Sequence, residues 1–295
     1  MNKRAALSLN ASEVAVAALS QSGEILMDAA RRTRAGADDP VEAVHELRVA
    51  IRRVRADLRI FAKAFDPNWL DATKRQLREL ARVVGEARDL DVIFGRLVQL
   101  VAALPESDQP GAETLLSQLR RDRRAALECV LAALGARDHA AAIEDLAMVA
   151  ARRPLAPDAD DVAIDDLVAA TRLQWRRLRK SVRSAEALPS AENLHTVRVR
   201  AKTLRYSLET LDPVLDKSAR RHAKSLVALQ NHLGEMQDAV VIERWLREFR
   251  DTGRGDVFLI GELVGIERAR EEWFRATWRE RWSQASRKRR RRWSR

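Results

Sequence analysis

Two well-separated segments of this chain carry the same pattern of basic residues. VHELRVAIRRVRADLRIF begins at Val44 and LHTVRVRAKTLRYSLETL begins at Leu194, and both contain His-x-x-Arg-x-x-x-Arg/Lys-x-x-Arg. The segments that follow match as well, because Gly-Glu-x-x-Asp starts at Gly85 and again at Gly234. Two matches in the same order indicate an internal duplication. The chain is therefore constrained to a fold in which two similar halves use the same series of elements.

The composition of the chain favours helices over strands. Glycine and proline number only 11 and 8 among 295 residues, and long stretches rich in alanine, leucine, arginine and glutamate contain no helix breaker. Hydrophobic residues make up 46% of the chain, which is enough for a substantial core. We predict an all-α fold with long antiparallel helices joined by short loops. The eight main helices are predicted at about 12–34, 41–65, 68–103, 111–134, 161–184, 190–212, 215–251 and 256–283, with a shorter one near 139–151. Ser12 and Asp39 are the predicted N-caps of the first two.

The boundary between the halves is predicted at ARRPLAPDADD, which resembles a linker. This places the first repeat at residues 1–153 and the second at residues 154–285. The last ten residues, 286–295, contain six arginines and one lysine but no acid, and we expect a disordered basic tail there. Since the formal charge of the whole chain is +11, the body without this tail is near +4. An anion site in the body must therefore come from the arrangement of charges rather than from their excess.

Other features of the sequence limit the class of protein. Cys129 is the only cysteine, so no intrachain disulfide can form, which suits a reducing cytoplasm. No run of 18 apolar residues is present, so we expect no membrane span. The N-terminal segment does not resemble a signal peptide, because Asn10, Ser12 and Glu13 interrupt its apolar stretch. These observations predict a cytoplasmic protein.

One face of the helix predicted at about 41–65 carries a row of cations. On a helical wheel its apolar residues form an arc of about 60°, and its basic residues form a stripe about 80° wide directly beside that arc. The stripe consists of His45, Arg48, Arg52, Arg55, Arg59 and Lys63. A solvated charged face would normally lie opposite the core and mix charges of both signs. From His45 to Arg59 the stripe is about 21 Å long, so a linear polyanion could follow it. Arginine suits this task because its planar fork binds two phosphate oxygens at once.

The second copy of this helix keeps a shorter stripe, which consists of His195, Arg198, Lys202 and Arg205. Tyr206 lies beside it and could either donate a hydrogen bond to a phosphate or pack in the ordinary way. Glu209 stands where the first copy has Arg59, so we expect partial self-neutralisation of the second stripe. The helices that follow the stripes add further candidates: Lys74, Arg75, Arg78 and Arg82 in the first half, and Arg221 and Lys224 in the second. Val227 and Asn231 replace the last two arginines of the first set, so the first half should form the deeper part of the binding surface.

Several residues allow more than one interpretation. Gly85 and Gly234 favour close helix packing over contact with a ligand. Asp89 and Asp238 either orient arginines, such as Arg88, or make plain surface pairs. The tryptophans of the last long helix are expected to lie mostly in the core: Trp273, Trp278 and Trp282.

Three classes of function compete for this pattern. An enzyme would need a nucleophile motif, a phosphate-binding glycine loop or metal-ligand spacing, and the chain shows none of these, although the acids of Gly-Glu-x-x-Asp leave metal-dependent hydrolysis of polyphosphate or triphosphate as an alternative. A nucleic-acid binder would need aromatic residues along the first stripe, although nonspecific binding through the tail is expected. We predict binding of a linear chain of phosphates, with no catalysis, no metal and no cofactor. Protonation of His45 near an ordinary histidine pKa should tighten this binding as the pH falls from about 8 to about 6.

The doubled basic helix, followed each time by Gly-Glu-x-x-Asp, resembles the CHAD family, the conserved histidine α-helical domain, over about residues 12–283. The resemblance implies two four-helix bundles related by a pseudo-twofold axis. It also implies a central basic surface that binds inorganic polyphosphate, and association of the protein with polyphosphate granules. Some members of the family are fused to a triphosphate-tunnel domain, and this chain resembles a stand-alone member. It departs from the family pattern at Glu209, Val227 and Asn231, all in the second half.

Overall fold

A computed structural model describes residues 10–212, 214–287 and 292–294, and within these ranges it contains ten α-helices and no strand. The predicted all-α fold is therefore confirmed. In chain order the helices are α1 (Ala11–Arg34), α2 (Pro40–Ile60), α3 (Pro67–Ala103), α4 (Ala112–Gly135), α5 (Arg137–Ala147), α6 (Val149–Arg152), α7 (Ile164–Ala187), α8 (Ala191–Thr210), α9 (Lys217–Asp251) and α10 (Val257–Ala285). None of the helices in the described part is long and apolar enough to cross a membrane.

The first two helices begin at side-chain caps. Asn10 caps α1 by accepting a hydrogen bond from the backbone N–H of Ser12 at 3.2 Å. The prediction of Ser12 as the cap is wrong, because this residue lies inside the helix, where its hydroxyl donates to Asp160 at 2.8 Å. Asp39 caps α2 as predicted by accepting from two backbone N–H groups, and Pro40 occupies the first turn.

The second helix ends at Ile60, before its predicted end near residue 65. Phe65 is buried in the core and forms an isolated β-bridge with Leu155 of the segment between the halves. This pairing holds the chain in a turn where the helix was expected to continue. Lys63, the last cation of the predicted stripe, consequently lies beyond the helix and is exposed.

The buried apolar side chains form three cores. The first contains side chains from α1, α2, the start of α3, the end of α4 and α5, and the second contains side chains from α7, α8, the start of α9 and the end of α10. The third is shared by the halves, because Ile93 and Leu97 of α3 cluster with Ile242 and Leu246 of α9 and with the starts of α4 and α10. The prediction of two four-helix bundles therefore did not include this third core, which four helices build together. Since α3 and α9 each run through two cores, they fix the halves relative to each other.

Polar contacts between the halves lie beside these cores. Glu267 of α10 is fully buried and accepts hydrogen bonds from Arg96 of α3 at 2.7 Å and from Arg270 at 2.8 Å. Asp57 of α2 is 1% exposed, and the hydroxyl of Thr210 of α8 donates to it at 2.6 Å. The two helices that carry the repeated basic pattern, α2 and α8, therefore pack directly against each other.

Trp293, near the C-terminal end, is buried in the second core. Its backbone N–H donates to Ser218 Oγ at 2.9 Å, and its indole N–H donates to His222 Nδ1 at 3.1 Å. The prediction of a disordered tail is wrong for this residue, because burial of a large ring with its polar atom paired is favourable. Residues 288–291 and 295 of the predicted tail lie outside the described residues. The expectation for the tryptophans of α10 is confirmed for Trp278, which is fully buried, and is wrong for Trp273, which is 56% exposed.

Candidate functional site

Four cations from α2 and α8 come together where the repeated helices pack against each other. We call them the central cluster: Arg48, Arg52, Arg198 and Lys202. Burial, together with the charges of Arg198, Arg52 and Arg48, lowers the pKa of Lys202 to about 7. Burial also lowers the pKa of Arg198, and the charges of Arg48 and Arg52 on the other helix act in the same direction. The two stripes of the sequence therefore meet at this point.

The first arginine of each stripe lies against the glycine of the Gly-Glu-x-x-Asp segment in its own half. Arg48 Nη1 donates to the carbonyl oxygen of Gly85 at 2.8 Å and to Asp89 Oδ1 at 3.0 Å. In the second half, a Cβ added to Gly234 would lie 3.5 Å from Arg198 Nη2. In both halves the guanidinium group therefore lies beside the backbone of the following long helix, at a distance that would also accommodate a Cβ on the glycine. Of the two interpretations of Asp89, the structure shows the one in which it orients an arginine.

Asp238 is the counterpart of Asp89 in the second half. Burial raises the pKa of its carboxyl, while the charge of Arg198 lowers it. Two acids beside four cations leave a positive balance at the cluster. Among the described residues, no group of three or more histidines, cysteines or acids is arranged to hold a metal ion.

Several buried polar atoms around the central cluster have no hydrogen-bond partner among the described residues. They are Nε of Arg52, Nε of Arg198, Nε of Arg205 and the hydroxyl of Tyr206. The Tyr206 hydroxyl lies close enough to Arg52 to favour the charged guanidinium, yet their contact lacks the geometry of a hydrogen bond. A buried polar atom without a partner costs about 1–3 kcal/mol, and more when it is charged. These atoms are shielded from solvent, whereas the arginine side chains that carry them are partly exposed, so an anion would interact with the accessible part of each guanidinium group.

Two guanidinium groups, one from each half, lie over the ring of Tyr206. Arg52 Cζ is 5.7 Å and Arg205 Cζ is 4.7 Å from the ring centroid, which is within the range of cation–π interactions. Tyr206 therefore combines ordinary packing of its ring with an unpaired hydroxyl. Arg205 also lies 3.6 Å from Glu209, so the expected partial neutralisation of the second stripe is confirmed.

The first stripe continues from the central cluster along α2. Burial lowers the pKa of Arg55, and the charges of Arg59 and Arg78 act in the same direction. Burial also lowers the pKa of Arg59, whose charged neighbour is Arg200 of α8. These residues form a row of like charges that starts on α3, crosses α2 and reaches α8.

Within the described ranges, no hydrogen bond or ion pair joins the central cluster to the other predicted cations of α3 and α9: Lys74, Arg75, Arg82, Arg221 and Lys224. Arg82 instead pairs with Glu86 at 2.8 Å. Lys74 and Lys224 precede the glycines of their helices by about three turns, or roughly 15 Å along the axis. The structure therefore connects α3 to the row of cations through Arg78 alone among the predicted residues of that helix.

The two repeated histidines have different surroundings. Burial lowers the pKa of His45, and the charge of Arg88 acts in the same direction. The expectation that His45 titrates near an ordinary histidine pKa is therefore wrong. His195 Nδ1 lies 2.9 Å from Gln237 Oε1, which orients the ring. His195 lines a cleft between α7 and α8 and does not join the central cluster.

That cleft contains arginines that sequence reasoning missed. Its volume is about 660 Å³, and its lining includes Arg59, Arg177 and Arg200. Arg177 belongs to the run RRLRK, which has no neighbouring acid, and this run was the available signal. Arg200 carried no comparable signal, because it lies outside the repeated pattern.

The chain also matches known proteins by sequence. A family model described as the CHAD domain matches residues 18–247. Two curated proteins of Mycobacterium tuberculosis, both described as uncharacterized, are 29% identical to this chain over 256 residues. Each match covers 81% of this chain and 48% of the relative, so the chain spans about half the length of these relatives.

Two solved structures share the fold. PptA from Streptomyces chartreusis is 21% identical with a TM-score of 0.74, and the match covers 93% of this chain and 100% of that protein. The CHAD domain from the plant Ricinus communis is 23% identical with a TM-score of 0.74, and the match covers 95% of this chain and 94% of that domain. At these identities the likeness concerns the fold alone.

Proposed function

The chain belongs to the CHAD domain family, and from that premise we propose that it binds inorganic polyphosphate at the central cluster. The observation that carries the proposal is the convergence of the four cations of the central cluster, two from each repeated helix, whose burial and mutual repulsion lower the pKa of Lys202 and of Arg198. A linear chain of phosphates supplies acceptor oxygens at short intervals, so one ligand satisfies donors on both helices.

The length of the row of cations supports a polyanion over a single phosphate. From Arg48 to Arg59 the row extends about 16 Å along α2. A single phosphate would contact only one part of it, whereas a chain of phosphates would neutralise neighbouring like charges together. Binding of polyphosphate thereby relieves the repulsion between these cations.

A competition titration tests this proposal with the full chain, long polyphosphate, tripolyphosphate and duplex DNA at one salt concentration. We expect long polyphosphate to bind more tightly than DNA. The double variant Arg52→Glu/Lys202→Glu reverses one cation from each half and should weaken polyphosphate binding by at least about a hundredfold, because each charge-assisted contact contributes roughly 1.5–3 kcal/mol.

The matched control is Arg179→Glu/Arg183→Glu, which likewise replaces two basic residues by glutamates, at exposed positions of α7. Circular dichroism establishes that both variants keep their helices. Equal losses of affinity in the two variants would mean that binding follows net charge alone and would reject the central cluster as the site.

Binding without turnover is part of the same proposal. We expect no release of phosphate from polyphosphate in the presence of Mg²⁺ or Mn²⁺. Release that disappears in Arg52→Glu/Lys202→Glu would instead favour the hydrolase alternative. In cells, the proposal places the protein at polyphosphate granules in the cytoplasm, and co-localisation of a fluorescent fusion with stained polyphosphate checks this.

A further inference from the structure

The cleft between α7 and α8 lies outside the central cluster and has a charged lining from three helices. Arg59 comes from α2, Arg177 from α7, and His195 and Arg200 from α8. Within the described ranges, no carboxylate lies within ion-pair distance of Arg59, Arg177 or Arg200. A group of three guanidinium groups without a carboxylate partner around one cavity attracts anions.

Two of these arginines are held next to each other although they repel. Arg59 Nη1 donates to Thr203 Oγ1 at 3.4 Å. This hydrogen bond holds the side chain of Arg59, which comes from α2, at the wall of the cleft. The charge of Arg200, in addition to burial, lowers the pKa of Arg59. This repulsion destabilises the free protein, and an anion between the two side chains would remove it.

The first half differs from this charged cleft at two corresponding positions. By the repeat, Arg200 corresponds to Ala50 of α2, which is buried. Thr196 of the cleft corresponds to Glu46, which pairs with Arg32 at 2.5 Å. The residues at these two positions of the cleft therefore do not follow from the repeated pattern.

We infer that this cleft is a second binding segment for polyphosphate, which receives the phosphates that leave the central cluster past Arg59. The inference rests on the proposed function. Its main support is continuity of charge: Arg55 follows the central cluster on α2, Arg59 is its charged neighbour, and Arg200 is the neighbour of Arg59. A chain of phosphates that follows these residues passes from α2 to α8 and reaches Arg177. Short chains occupy the central cluster alone, and only longer chains reach the cleft.

The test compares Arg177→Gln/Arg200→Gln with Arg179→Gln/Arg183→Gln, which removes the same charge from positions of α7 that do not line the cleft. We expect the cleft variant to bind long polyphosphate about tenfold less tightly. The slope of the logarithm of its affinity against the logarithm of the salt concentration should become shallower by about 1.4, because each lost phosphate contact on a flexible chain contributes about 0.7. Its affinity for tripolyphosphate should stay unchanged. The control variant should bind both ligands as the wild type does.

Two results would overturn the inference while leaving the proposed function in place. One is an equal affinity of the cleft variant and the control for long polyphosphate, with Arg52→Glu/Lys202→Glu still impaired. The other is an equal loss for tripolyphosphate and long polyphosphate in the cleft variant, since the cleft would then not depend on chain length. Failure of the wild type to bind either ligand would instead reject the proposed function and this inference together.

Discussion

At the scale of single residues, Lys202 shows how its neighbours change the chemistry of a side chain. It takes the place of Arg52 in the repeat, and a buried ammonium loses its charge far more readily than a guanidinium does. With a pKa of about 7, Lys202 is about half charged at neutral pH. Bound phosphates favour the charged form and raise this pKa, so binding above about pH 7 is accompanied by uptake of a proton.

We therefore expect the affinity for long polyphosphate to be highest at or below about pH 7 and to fall as the pH rises to about 9. In Lys202→Arg the dependence should flatten, because the guanidinium stays charged throughout. Calorimetric titrations in buffers of different ionisation enthalpy measure the affinity and count the protons taken up.

The control for this prediction is His45→Ala. It should keep the pH dependence of the wild type, because burial already lowers the pKa of His45 below its ordinary value. A variant Lys202→Arg with the same slope as the wild type would show that another group takes up the proton.

At the scale of elements, the Gly-Glu-x-x-Asp helices position the arginines of the helices that precede them. Glycine costs about 1 kcal/mol of helix propensity relative to alanine, so its presence in both copies calls for a reason. A Cβ at Gly85 would lie 3.6 Å from Arg48 Nη1, which is ordinary van der Waals contact. A methyl group therefore fits beside the guanidinium, whereas a longer side chain would displace it from the carbonyl of Gly85 and from Asp89.

This geometry predicts different outcomes for two substitutions. Gly85→Ala should bind polyphosphate within about twofold of the wild type and should raise the free energy of unfolding by up to about 1 kcal/mol. Gly85→Leu should keep the fold, because the position is partly exposed, but should bind about tenfold less tightly since Arg48 loses two hydrogen bonds. Denaturant unfolding and titration measure the two effects separately. Wild-type affinity in Gly85→Leu would show that the placement of Arg48 against α3 is unnecessary for binding.

At the scale of the whole molecule, the shared third core makes the halves depend on each other. Leu97 and Leu246 belong to one cluster of side chains that come from both halves. Neither half alone can therefore surround its leucine with the native neighbours. The buried carboxylate of Glu267 accepts a hydrogen bond from Arg96 of the other half. Separation of the halves would remove this bond and leave the carboxylate partly unpaired. Both features favour cooperative unfolding of the two halves.

We expect a single thermal transition. Trp69 is the only tryptophan in the first half, so fluorescence reports mainly on the second half, whereas far-UV circular dichroism reports on all helices. The two midpoints should coincide in the wild type. In Arg96→Met both midpoints should fall together, and the free energy of unfolding should decrease by about 1–3 kcal/mol. The reason is that the buried carboxylate of Glu267 then keeps only its hydrogen bond from Arg270. Two separate transitions in the wild type would show that the halves unfold independently.

Much of the local structure could be predicted from the sequence because it depends on neighbouring residues. Helix propensity and apolar periodicity predicted the all-α fold, and the Asp39-Pro40 pair predicted the start of α2. The duplication predicted that α2 and α8 carry matching cations, but not that His195 lines the cleft outside the central cluster. Periodicity identified the buried face of the two repeated helices, because that face repeats along one element.

The partner of each face was decided only by the tertiary structure, because it depends on residues far apart in the chain. Nothing in the sequence around Leu97 and Leu246 indicates that these two side chains share a core. Periodicity places Lys202 on a stripe, but the lowered pKa comes from Arg48 and Arg52 on the other repeated helix. Arg200 likewise gains its charged neighbour only because α2 packs against α8. Local sequence governs the conformation of an element, whereas desolvation and charge coupling arise when separate elements exclude water between them.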